Sequence, residues 1–109
     1  MGMAKLPKSF TAFVEAYPQV GAAYGDLSQA VATAGPLDAK TQALVKLGIA
    51  IGAGLEGGTR SQARKALEAG ASTEELRHAV LQATTTIGFP AMMRSLSWVD
   101  GVIKEAAEE

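Results

Sequence analysis

Cysteine is missing from all 109 residues. Its absence excludes disulfides, CxxC redox pairs and thiolate metal sites, so the chain performs no thiol chemistry of its own. Histidine occurs once, at His78. One imidazole cannot form an H-x-x-x-H pair, and no zinc or iron site is expected. An excess of either charge is missing too: 10 Lys and Arg against 11 Asp and Glu leave a net charge of −1. A nucleic-acid partner is therefore not expected, and little repulsion opposes self-association. The longest apolar run, Leu47 to Leu55, is interrupted by three glycines and is far too short to span a bilayer. No apolar stretch follows Lys5, so MGMAKLPKSF does not read as a leader. A cytoplasmic protein without membrane contact is the expectation. No segment alternates with period two, so no sheet is expected.

What is present is 48% apolar residues, enough for one core and a single domain over 1–109. Glycine and proline divide the chain into about six helical segments, an all-α fold. The first runs from Ser9 to Tyr17, with Phe10, Phe13, Val14 and Tyr17 at helical spacing. The second runs from Gln19 to Ala34. The third starts at Asp38 as N-cap and is apolar nearly all round, which predicts a central buried helix. The fourth starts at Thr59, where Thr59-Arg60-Ser61-Gln62 fits a capping box, and ends at Gly70. The fifth carries a second box, Ser72-Thr73-Glu74-Glu75, and extends through Ile87 to a stop at Gly88-Phe89-Pro90. The sixth runs from Ala91 to the C-terminus with Met92, Leu96, Val99, Val102 and Ile103 inward. The third segment has more apolar surface than short partners can cover, which predicts a homo-oligomer, a well-covered monomer being the alternative. Trp98 or the Met92-Met93 pair is expected near a subunit contact.

Several polar residues are candidates for a site. Lys46 lies within the most apolar segment. A buried ammonium there must reach solvent, a carboxylate such as Glu56, or a ligand. Arg60 falls in the first turn of its helix, against the macrodipole, which suggests a partner in Glu56 or a bound carboxylate. Gln62 is either a ligand contact or the N3 half of its capping box. His78 shares a polar face with Gln82 and Thr85, as a surface residue or a proton carrier. The hydroxyls of Thr84, Thr85 and Thr86 either pack or line a pocket.

From Leu44 to Leu96 the pieces LVKLGIAIG, LEGG, ARKALEAGAS, STEELRHAVLQA and GFP resemble the carboxymuconolactone decarboxylase family, which includes the alkylhydroperoxidase D-like proteins. The resemblance implies an all-helical fold that assembles into trimers or hexamers. The peroxidase branch of that family carries C-x-x-C-x-x-x-H at this turn, with a glutamate upstream. Those positions fall here on Leu55, Gly58, Gln62 and Ala43, so the resemblance does not extend to thiol peroxidase activity, and a peroxidase label would rest on similarity alone. The cysteine-free branch, with the true decarboxylases, places histidines where Arg60-Ser61-Gln62 stands. Arginine and glutamine offer no general acid or base, but both can orient an anion. The resemblance thus implies a cofactor-independent decarboxylase or lactone isomerase acting on a small carboxylate. In it Lys46, Arg60 and Gln62 bind substrate and Glu56 or His78 moves the proton. The alternative is a non-catalytic oligomeric binding protein on the same fold.

Overall fold

A computed structural model describes residues 7–109. The opening residues, to which most of the leader expectation refers, lie outside the described ones. The described residues form helices and connecting turns, with no strand among them. They divide into two compact units, 7–37 and 38–109.

Residues 38–109 hold four α-helices around one core. Helix α3 (Ala39–Gly52) starts at Asp38, whose side chain accepts a hydrogen bond from the Thr41 amide at 2.8 Å. This cap satisfies one of the free amides of the first turn. Helix α4 (Glu56–Glu68) packs on α3 and on α6 (Phe89–Ala107). Helix α5 (Thr73–Leu81) opens with the expected box: the Ser72 hydroxyl accepts from the Glu75 amide at 3.0 Å, and the Glu75 carboxylate accepts from the Ser72 amide at 2.9 Å. Leu47, Leu76, Val80, Val99 and Val102 are fully buried. Each such side chain contributes about 1.5–3 kcal/mol. Ser95 joins them at no cost in unpaired polarity, because its hydroxyl donates to the Ala91 carbonyl at 2.9 Å.

Four expectations are corrected here. Helix α3 is not buried all round: it buries Ala43, Leu47, Ala50 and Ile51 and exposes Val45, Lys46 and Ile49. Its α-helical neighbours within residues 38–109 are α4, α5 and α6, and they do not cover the apolar residues on its opposite face inside that unit. Helix α4 begins at Glu56 rather than Thr59, with Leu55 as N-cap and no side-chain cap. The Thr59 amide is already bonded to the Leu55 carbonyl at 2.9 Å, so Thr59 has no free amide to cap. Its own hydroxyl is fully buried without a partner. Helix α5 stops at Leu81 and gives way to a 3-10 turn over Gln82–Thr85. The β-branched run that follows is responsible, since the Thr86 hydroxyl bonds back to the Gln82 and Ala83 carbonyls at 3.1 and 3.2 Å. The threonine hydroxyls at 85 and 86 are thereby engaged locally. Helix α6 begins at Phe89, and Pro90 occupies its first turn rather than ending a helix.

Residues 7–37 form α1 (Lys8–Ala16) and α2 (Pro18–Ala32), with Tyr17 between them and Pro18 opening α2. The Phe13 and Tyr17 rings meet at 5.3 Å between centroids. Neither helix buries a residue. No described helix is long and apolar enough to cross a membrane.

Candidate functional site

The turn between α3 and α4 places the polar groups. Ala53 closes α3 and Gly54 follows with φ of 71°, a left-handed conformation that favours glycine. The chain then enters α4 directly, which sets Glu56 at its first residue. A carboxylate there is favourable to the helix macrodipole. Arg60 consequently lies in the second turn, four residues after Glu56, and the opposition to the macrodipole that the sequence implied is relieved. One Glu56 oxygen accepts from both Nε and Nη2 of Arg60, at 3.1 and 3.0 Å. Acid before cation at this spacing is the favourable order on a helix. The pair is partly exposed, 34% for the Arg60 side chain and 56% for Glu56, so it contributes under about 1 kcal/mol to stability. Its consequence is positional: it lays the guanidinium across α6.

There Nη1 of Arg60 donates to the Trp98 carbonyl at 3.5 Å. Gly101 makes room for it, since a methyl group at that position would lie 3.1 Å from Nη1. One turn earlier on α6, the Arg94 guanidinium stacks over the Trp98 ring at 5.1 Å from its centroid. A methyl group at Gly54 would lie 3.7 Å from Nη2 of Arg94. The turn, the start of α4 and the middle of α6 thus gather two guanidiniums, one carboxylate and the indole.

The match runs from α2 into α6: a Carboxymuconolactone decarboxylase family model covers residues 18–101. The chain belongs to this family. The match includes Glu56, Arg60, Arg94, Trp98 and Gly101, so the whole gathering lies inside the carboxymuconolactone decarboxylase region. A comparison with curated proteins finds no match.

Of the residues singled out by sequence, the family member brings Glu56 and Arg60 together, whereas Lys46, Gln62 and His78 make no hydrogen bond or ion pair with them. Lys46 is exposed on the outer face of α3 beside Val45 and Ile49 and makes no ion pair with Glu56. Its ammonium reaches solvent, so no buried charge demands a partner. Gln62 is half-buried in the third position after Thr59, and with helix α4 starting at Glu56 it caps nothing. His78 is exposed in the last turn of α5, and its carbonyl accepts from the Gln82 side chain at 3.3 Å. Glu75 stands three residues before His78, an E-x-x-H spacing. Its carboxylate is engaged elsewhere, on the Ser72 amide and on Lys40 at 3.1 Å. The Ser72 amide first, and Lys40 second, hold the Glu75 pKa below its ordinary value. Among the described residues no group of three or more carboxylates and imidazoles gathers in a metal-sized cluster.

Sequence reasoning missed Arg94 and the role of Trp98. The signal was there: arginine four residues before tryptophan on one helix puts the cation above the ring. Met92 belongs to the core at 5% exposure, whereas Met93 is 46% exposed.

Proposed function

We propose that this chain is a cofactor-independent decarboxylase or lactone isomerase acting on a small carboxylate. The observation that carries the reading is the Glu56–Arg60 pair, an acid and a fixed cation one turn apart, with the cation held at the backbone carbonyl of Trp98. In decarboxylation the bond between the ring carbon and the carboxylate breaks. Its electron pair moves onto the lactone carbonyl as an enolate, and carbon dioxide leaves. A solvent proton relayed by Glu56 then ends on carbon. Arg60 neutralises the developing oxyanion, with Gln62 on the same helix as a further substrate contact. A panel of unsaturated lactone carboxylates, followed by carbon dioxide release, tests this. Wild type turns over at least one of them, and Glu56→Gln lowers the rate by about 100-fold or more. No turnover across the panel overturns the enzyme reading.

A second reading is a non-catalytic oligomeric binding protein, with the same carboxylate as ligand. The uncovered apolar stripe of α1 and α2, including Phe13, Tyr24 and Leu27, favours self-association. Copies of this chain, as a trimer or hexamer, are the proposed partner in either reading. Absence of turnover together with retained carboxylate binding selects this second reading.

A further inference from the structure

Arg94 differs from the neighbouring arginines in what it faces. Arg60 and Arg77 each meet a carboxylate at 3.0 Å, Glu56 and Asp100 respectively. Among the described residues Arg94 has no carboxylate within ion-pair distance, although it is exposed and fully charged. What holds it is the face of Trp98. Stacking restricts a guanidinium and leaves its in-plane N–H donors free, which prepares it for a planar anion. Arg60 reaches the same tryptophan from the other side of the chemistry, at the backbone carbonyl. Four residues along α6 separate Arg94 from Trp98, about 6 Å of axial rise. Glu56 is held by Arg60, and Asp100 is held by Arg77. Two cations against one acid leave a positive site with a flat aromatic surface.

We infer that Arg94 is a second anion-binding residue, and that the ligand class is a small planar dicarboxylate with one carboxylate on Arg60, the other on Arg94. This presupposes the carboxylate reading of Arg60 and specifies its substrate class. Trp98 is the sole tryptophan, so its fluorescence reports the site alone. The test titrates the full chain with fumarate and with crotonate, flat acids that differ in the second carboxylate, by calorimetry and Trp98 fluorescence. Fumarate binds about tenfold or more tightly than crotonate, a difference of about 1.4 kcal/mol. Arg94→Met removes that preference by weakening fumarate alone, and Arg94→Lys restores part of it. Arg60→Met weakens both acids. If crotonate binds in an Arg60-dependent way but fumarate is not preferred, or the preference survives Arg94→Met, the inference is overturned and the carboxylate reading stands. If neither acid binds wild type, both fall. Arg94 is exposed, so its substitution leaves the core intact, and an unchanged unfolding curve verifies this.

Discussion

Leu76 on α5 and Leu27 on α2 are the same side chain on the apolar stripe of an amphipathic helix, yet their exposures are 0% and 60%. The difference is one of neighbours. Helix α5 meets α3, α4 and α6, so its stripe closes into an interior. Helices α1 and α2 meet each other, and two helices enclose no residue between them. Amphipathic periodicity therefore says which face seeks cover, and the number of elements around it decides whether cover is found within one unit.

The largest effect should come from truncating the two leucines in parallel. Leu76→Ala removes a fully buried side chain and lowers the stability of residues 38–109 by about 2–5 kcal/mol. Leu27→Ala leaves the unfolding of that unit within about 0.5 kcal/mol of wild type. Urea unfolding reads both, and equal losses would break the comparison. Next in size is assembly. If the stripe of α1 and α2 is covered by another copy, light scattering gives a trimer or hexamer at micromolar concentration. Tyr24→Ser with Leu27→Ser then shifts the mass toward monomer, whereas a monomeric wild type refutes the assembly.

Smaller effects test how local the order in residues 38–109 is. Ser72→Ala removes the α5 cap and costs about 1 kcal/mol. Its pH dependence has a definite sign. The Thr41 hydrogen bonds lower the Asp38 pKa, and the Ser72 amide, followed by Lys40, lowers that of Glu75. A carboxylate whose folded pKa is depressed stabilises above its unfolded pKa and loses that contribution as pH falls through the folded one. Thermal stability should therefore fall as pH drops through and below the ordinary carboxylate range, and less steeply in Glu75→Gln, which has no carboxylate to titrate. A flat acid limb in wild type would contradict the caps. The smallest change is expected from Lys46→Met and His78→Ala. Both residues are exposed, so stability stays within about 0.5 kcal/mol. Unchanged carboxylate affinity in Lys46→Met removes that residue from the site.

The helices, the caps at Asp38 and Ser72 and the inward face of α6 were legible because each rests on local chemistry: a side-chain acceptor near free amides, or apolar residues at helical spacing. The Glu56–Arg60 pairing was legible for the same reason, as a four-residue spacing. The start of α4 was not, because Thr59-Arg60-Ser61-Gln62 imitates a capping box while the turn through Gly54 starts the helix one turn earlier. Lys46 misled because an apolar segment in sequence does not reveal which of its faces will be packed. The approach of Arg60 to Gly101 and Trp98, 38 or more residues apart in sequence, depends on how α4 lies on α6. No spacing within one helix encodes that.

Arg60 is proposed as a carboxylate anchor that the fold does not need. Calorimetric titration of crotonate into wild type, Arg60→Met and Gly101→Ala, with thermal unfolding of each, tests it most directly. Arg60→Met should lose about tenfold or more in affinity. Gly101→Ala should also bind more weakly, because its methyl group crowds Nη1 of Arg60, while alanine's helix propensity keeps it at least as stable as wild type. Wild-type affinity in both variants would contradict the account.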